Sequence, residues 1–144
     1  VSLLGKPSSL KAQMEAYSSG VDRQIAVSMR FDNGVLASLS ATFDADTPVE
    51  AVVAGTKGFV RLKNRFHNAS SELELTLGKE QPQEIPVKRE TGNGYQFEAR
   101  HVNECLRKGL IESPVMSHDD SILLMDTLDR IREQCGIRYA ADNN

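Results

Sequence analysis

The hydrophobic pattern of this chain changes its period once, near residue 92, and this change limits the folds that the chain can adopt. Before that point, short runs alternate apolar and polar residues between Gly, Asn, Asp and Pro, which is typical of antiparallel strands. After it, apolar residues recur at helical spacing. We therefore predict an α+β fold, an open-faced, mostly antiparallel β-sheet with helices packed on one face.

The strand pattern is clearest at residues 24–31. Side chains alternate along a strand, so this run has an apolar face with Val27 and a face of small or polar residues. Asp32-Asn33-Gly34 tolerates positive φ angles, and the alternation resumes afterwards, which predicts a hairpin. The sequence predicts further strands at 10–17, 35–42, 49–55, 58–62, 73–77 and 85–87.

Two helices are predicted after the strands. The first begins at Tyr95 and ends before Gly109, and the second has Ser117 as its N-cap and ends before Gly136. Cys105 and Cys135 fall on the apolar faces of these helices, where free cysteines usually behave as small core residues. We interpret both cysteines as reduced and structural.

Composition excludes several classes of protein. The 144 residues fit a single domain, with 40% hydrophobic and 26% charged residues. A net charge of -3 without a basic and aromatic cluster argues against nucleic acid as a partner. No apolar run or signal peptide indicates a membrane, so a cytoplasmic location is expected. The opening Val-Ser-Leu-Leu-Gly without Met suggests a piece of a longer protein.

We find no catalytic constellation in the sequence. There is no Gly-x-Gly-x-x-Gly fingerprint, and Gly55-Thr56-Lys57-Gly58 is interpreted as a turn between strands because no helix follows it. No serine or cysteine lies in a nucleophile elbow. The acids Asp44 and Asp46 lie in a turn-rich stretch, which favours a structural role over acid–base catalysis.

A metal site is also not predicted. His101 and Cys105 lie one helical turn apart and could present two ligands, but no second pair of soft ligands is near in sequence. A histidine satisfied by Glu98 or Glu104 is the simpler interpretation. Arg65, Phe66 and His67 form a loop whose chemistry suits binding, although a solvated loop is the simpler interpretation there too.

The segment 92–115 carries the strongest resemblance to a known family. It reads Gly-Asn-Gly-Tyr-Gln-Phe-Glu-Ala-Arg-His-Val, then Glu-Cys-Leu-Arg-Lys-Gly, then Glu-Ser-Pro-Val. This resembles the Gfo/Idh/MocA oxidoreductases, in particular their dihydrodiol and sugar dehydrogenase-like branch. The strands near residues 31–34 and 47–60 follow in the same order as in that family. One departure is Ala140, where relatives tend to have proline after the tyrosine.

The resemblance implies that residues 1–144 are a single C-terminal substrate and dimerisation domain. The parent would be an NAD- or NADP-dependent dehydrogenase acting on a sugar, inositol or diol, with its cofactor held by a Rossmann domain that is absent from this sequence. We therefore expect this chain alone to bind no cofactor and to be inactive. The alternative is a stand-alone protein-interaction or assembly domain that never meets a cofactor.

The resemblance also suggests where partners bind. Phe66, His67 and Tyr95 are carried over as neighbours of the substrate pocket. A homodimer is predicted to form through a sheet face of small residues, with two sheets about 10 Å apart. This small-residue face consists of Ala26, Ser28, Ser38 and Ser40.

Overall fold

A computed structural model describes residues 3–63, 65–67, 72–87 and 90–139 of the chain. The described residues fold into two compact units, one from Val1–Asp46 with Glu112–Asn144 and the other from Thr47–Ile111. The strands are β1 (Ser9–Ala16), β2 (Asp22–Arg30), β3 (Leu36–Thr42), β4 (Ala51–Gly55), β5 (Gly58–Lys63), β6 (Glu72–Leu77) and β7 (Gln83–Ile85), and the helices are α1 (Tyr95–Arg107) and α2 (His118–Cys135).

The first unit contains a three-stranded antiparallel sheet in the order β1-β2-β3. The predicted hairpin joins β2 to β3, because Gly34 takes a φ of 83° and its amide donates to the carbonyl oxygen of Phe31. Asn33 Oδ1 accepts from the Val35 amide and closes the turn. The turn therefore fixes the register in which the two strands pair.

The core of the first unit lies on the apolar face of this sheet. Leu10, Val27 and Phe31 are its buried hydrophobic residues. The neighbours of Val27 along β2, Ala26 and Ser28, are exposed on the other face. This alternation confirms the two faces predicted for this strand, since successive side chains of a strand point to opposite sides.

Helix α2 packs on β1 in the same unit. Ser117 accepts from the Asp120 amide while Asp120 accepts from the Ser117 amide, so the predicted N-cap is a complete capping box. Near the other end of the helix, Gln134 binds the edge of β1. Its side-chain amide accepts from the Ala12 amide at 2.9 Å and donates to the Leu10 carbonyl at 3.1 Å.

The second unit contains the antiparallel sheet β4-β5-β6-β7 and helix α1. Gly58 begins β5 in close contact with β6, where a Cβ would lie 2.0 Å from the Thr76 carbonyl oxygen. Strand β7 pairs with β6 through Ile85 and ends there. The strand predicted around 85–87 is present but lies two residues earlier, because Pro86 has no amide hydrogen to continue the ladder.

The α+β class and the antiparallel pairing are confirmed. The structure adds that the strands are divided between two sheets, and that α2 packs on the first of them. Most predicted ends of strands and helices agree with the observed ones to within two residues. No helix in the described residues is long and apolar enough to cross a membrane.

Candidate functional site

The loop after β5 projects an unusual set of side chains. Arg65 has a φ of 60°, a left-handed conformation that costs a residue other than glycine about 1–3 kcal/mol. The amides of Arg65 and Phe66 both donate to the Val49 carbonyl, at 2.9 and 3.4 Å. These bonds hold the strained turn in place. Backbone strain that a structure maintains in this way is a recognised mark of binding sites.

The two rings of this loop contact each other. The centroids of Phe66 and His67 lie 5.5 Å apart with an angle of 86° between the ring planes, an edge-to-face arrangement. Phe66 is 43% exposed and His67 is also exposed, so both rings remain accessible. An apolar ring face beside an imidazole suits a ligand that has both C–H surface and hydroxyl groups.

Tyr95 lies in the same unit, at the first residue of α1. Its side chain is 73% exposed. Among the described residues, no ring contact joins Tyr95 to Phe66 or His67. The structure therefore brings two of the three predicted pocket residues together, and the inclusion of Tyr95 stays a prediction.

The small-residue face forms a regular surface in the first unit. Ser28 pairs with Ser38 across β2 and β3, and Ala26 pairs with Ser40, so all four residues lie on one side of the sheet. Strand β1 extends each row with a longer side chain, because Lys11 pairs with Ser28 and Gln13 pairs with Ala26. The sequence analysis did not assign Lys11 and Gln13 to this face, although the alternation along residues 10–17 places both side chains on the same side of β1.

This face carries a shallow open depression of about 820 Å³. Its lining consists of the small-residue face together with Lys11, Ala12, Gln13, Val27, Leu39 and Gln134. The short side chains leave the backbone of the sheet close to the surface, and a second layer can therefore approach closely. The depression lies wholly within the first unit.

An ion-pair cluster closes one end of the same sheet. Asp44 follows β3 and binds both the Arg23 guanidinium and the Tyr17 hydroxyl, the latter at 2.7 Å. The hydrogen bond from Tyr17, and then that from Arg23, lower the pKa of Asp44. The same bond raises the pKa of Tyr17, which keeps its hydroxyl protonated. Asp44 thus has a structural role, as predicted, but with partners that its turn-rich context did not identify.

A second charged cluster lies on the sheet of the second unit. Arg61 donates to both carboxylate oxygens of Glu50 at 2.9 and 3.0 Å, and Lys63 pairs with Glu74 at 2.7 Å. The fork from Arg61 lowers the pKa of Glu50, chiefly through hydrogen bonding. These charged groups therefore pair with one another across the surface of the sheet.

Two features that could bind nucleotide phosphates, Gly58 and the start of α2, are occupied by contacts within the chain. Gly58 is required by its approach to Thr76, not by a ligand. At the start of α1, the Gly94 amide already donates to Gln96 Oε1, and Glu98 follows in the first turn. The start of α2 is closed by its capping box. The capping box therefore occupies the amides at the start of α2, and the lack of a nucleotide site in this chain stays a prediction.

The histidine and cysteine of α1 do contact each other. His101 Nε2 lies 3.5 Å from Cys105 Sγ, as their spacing of one turn allows. Within the described ranges, no group of three or more His, Cys, Asp or Glu side chains could hold a metal ion. Both cysteines are unpaired, and burial raises the pKa of the Cys135 thiol, with Asp22 adding to the effect.

Comparison with known proteins relates the chain to one family. Residues 1–61 match the family model of the GFO/IDH/MocA C-terminal domain. The chain is 34% identical over 139 residues to the trans-1,2-dihydrobenzene-1,2-diol dehydrogenase of Xenopus laevis, which covers 93% of the chain. The match spans 42% of that relative's length.

Solved structures share the fold. The aldose-aldose oxidoreductase of Caulobacter crescentus, complexed with glycerol, superposes with a TM-score of 0.75 at 18% identity, covering 90% of this chain and 39% of its own. A levoglucosan dehydrogenase in complex with NADH and levoglucosan gives a TM-score of 0.68 at 21% identity, covering 93% and 44%. At these identities the likeness concerns the fold alone.

Proposed function

This chain is a C-terminal domain of the Gfo/Idh/MocA oxidoreductase type, and from that premise we propose that it forms a substrate wall and a homodimer contact in a nicotinamide-dependent dehydrogenase. The observation that carries the proposal is the 34% identity to a dihydrodiol dehydrogenase over 93% of the chain. The substrate would be a sugar, inositol or diol, and NAD or NADP would be the hydride carrier. The cofactor, when bound, supplies the hydride chemistry.

The role of this chain in that reaction would be to position the substrate. Phe66 offers an apolar ring face to the C–H surface of a polyol, and the neighbouring His67 imidazole can donate or accept a hydrogen bond with a hydroxyl. The Val49 carbonyl fixes the backbone of this loop, so the two rings are held before a ligand arrives. Tyr95 would be a further neighbour of the pocket.

The substrate wall is tested by nuclear magnetic resonance with a polyol titrated into the chain. We expect millimolar levoglucosan or a cyclic trans-diol to shift the ring signals of Phe66 and His67, and the Phe66 shift to weaken in His67→Ala. Phe43, an exposed phenylalanine of the first unit, is the internal control and should not move. Equal shifts at Phe43, or none at Phe66, would overturn the substrate wall.

The homodimer contact would use the small-residue face. Its paired Ala and Ser residues have short side chains, so two such sheets can stack face to face at about 10 Å. A two-fold axis would bring the same residues together from both chains. Lys11 and Gln13 would lie at the margin of this contact.

The dimer contact is tested by placing a long charged side chain on that face. Ser38→Arg should halve the mass measured by light scattering. The long side chain would keep the two sheets apart, and burying its guanidinium in the contact would cost the hydration of the charge. The control is Thr56→Arg, which adds the same charge to an exposed turn of the second unit and should leave the mass unchanged. An unchanged mass in Ser38→Arg contradicts this contact.

A further inference from the structure

The two edge strands of the first sheet differ in their hydrogen-bond partners. At the β1 edge, the Gln134 amide binds the outward-facing Ala12 amide and Leu10 carbonyl and so takes the place of a neighbouring strand. At the β3 edge, no strand of the described chain pairs with the outer side. Residues 36–42 also contain no charge and no proline, the usual features that prevent an edge strand from pairing.

The hydrogen-bond pattern shows which groups of β3 face outward. Beyond the ends of β3, the Val35 carbonyl accepts from Phe31 and the Phe43 amide donates to Arg23, so odd-numbered residues direct their backbone groups toward β2. In an antiparallel pair these directions alternate from residue to residue. The amides and carbonyls of the even-numbered residues therefore face the open edge. These are Leu36, Ser38, Ser40 and Thr42.

The sequence of β3 is nearly the same in both directions. Around Leu39 it reads Ala-Ser-Leu-Ser-Ala, from Ala37 to Ala41. If β3 pairs with β3 of a second copy about an axis at Leu39, Ser38 lies opposite the partner's Ser40 and Ala37 opposite the partner's Ala41. The outward groups of Ser38 and Ser40 then hydrogen-bond across the axis, and Leu39 meets the partner's Leu39 at a non-hydrogen-bonded position.

The exposed apolar side chains of this edge follow the same symmetry. Val35, Leu39 and Phe43 recur every four residues on one face and are 38%, 54% and 77% exposed. The two-fold pairing sets Leu39 against its own copy and Phe43 against the partner's Val35. Val35, Leu39 and Phe43 thus each gain an apolar partner, whereas Leu36 on the other face lies opposite the partner's Thr42. Apolar cross-strand pairs of this kind stabilise a sheet.

We propose that β3 pairs with β3 of a second copy of this chain and joins two three-stranded sheets into one sheet of six. This contact uses the edge of the sheet, whereas the proposed dimer contact uses the small-residue face. The two contacts can therefore occur together in an assembly of four chains. The edge contact goes beyond the proposed function and does not depend on it.

Disulfide trapping tests this contact. In Leu39→Cys the two new thiols would face each other across the axis with Cα atoms about 4.5 Å apart, within the range that a disulfide spans. The matched control is Leu36→Cys, which is 71% exposed but would lie roughly 20 Å from its own copy. We expect mild oxidation to link Leu39→Cys at least tenfold faster, with mass spectrometry locating the bond at residue 39. Equal rates would overturn the proposal.

A charge-swap experiment supplies a second readout. Leu39→Glu and Leu39→Lys should each lose the edge contact when alone, because like charges meet on the axis, and an equal mixture should recover it. In native mass spectrometry, the fraction of mixed pairs should be well above the one half that random pairing gives. Statistical mixing contradicts the edge contact.

The two interfaces are separated by combining substitutions. Leu39 lies on the face opposite Ser38, so Ser38→Arg should leave the Leu39→Cys link intact while it abolishes the face contact. A link that persists with half the mass supports both contacts. If Leu39→Cys forms no disulfide while the mass of the assembly is unchanged, the edge contact is refuted and the face contact is not.

Discussion

Gly58 has a φ of 152°, and a Cβ built there would lie 2.0 Å from the Thr76 carbonyl oxygen. We expect Gly58→Ala to lower the free energy of unfolding by at least about 2 kcal/mol, because the methyl group meets backbone that cannot move aside. Gly55→Ala is the control, since the nearest atom to its Cβ is 3.9 Å away. Urea denaturation followed by circular dichroism measures both, and equal stabilities would contradict the argument.

Asp44 makes the stability of the first unit depend on pH. Its pKa in the folded chain lies below the ordinary value of 3.8 because Tyr17 and Arg23 bind the carboxylate. A lowered folded pKa gives stability that is present above pH 4, about the unfolded pKa, and lost as the pH falls through the folded value. Asp44→Asn should therefore be less stable at neutral pH.

Thermal unfolding at a series of pH values measures this effect. We expect the gap in melting temperature between the original chain and Asp44→Asn to close as the pH falls from about 4 through the lowered pKa of Asp44 in the folded chain. Asp46→Asn, an exposed acid of the same stretch, serves as the comparison and should show a smaller gap at pH 7. A gap that does not change with pH would show that the carboxylate charge is not the cause.

At the scale of elements, Gln134 links α2 to the edge of β1. Gln134→Leu removes both hydrogen bonds and leaves the carbonyl of buried Leu10 without this partner, so we expect a loss of about 1–2 kcal/mol. The more specific measurement is hydrogen exchange at the Ala12 amide, which should become faster. Glu133→Leu, an exposed neighbour on the same helix, is the control. Unchanged protection at Ala12 would contradict this role for Gln134.

The elements also show what local patterns reveal. Alternation and turn residues predicted the pairing of β2 with β3, because a hairpin depends on neighbours in the chain. Ser117 and Gly136 predicted both ends of α2 for the same reason. Gln134 was not identified, since its bonds to β1 join residues more than 120 positions apart.

At the scale of the whole molecule, we propose that the nicotinamide cofactor binds to a part of the protein outside this chain. The chain spans 42% of the Xenopus laevis relative, and the start of α2 is closed by its own capping box. We expect NADH and NADPH titrated into the chain to give no saturable heat, while light scattering of the same sample shows a multiple of the chain mass. Micromolar binding of either nucleotide would contradict this assignment.

The sequence by itself determined the α+β class, the order and most ends of the strands and helices, and the two faces of β2. These follow from side-chain periodicity and from residues that favour turns and caps, which act between near neighbours. The family also followed from the sequence, because its helix motif is continuous in the chain. The adjacency of Phe66 and His67 in one loop also follows from the sequence, while their place in a substrate pocket stays a prediction.

Only the tertiary structure decided how distant segments meet. It divided the strands between two sheets, bound Asp44 to Tyr17 and Arg23, and joined Gln134 to the β1 edge, while no described strand pairs with the β3 edge. These contacts depend on which surfaces the folded backbone brings within about 3 Å, the reach of a hydrogen bond. Local pattern carries no information on that, because the same alternation is compatible with many strand orders.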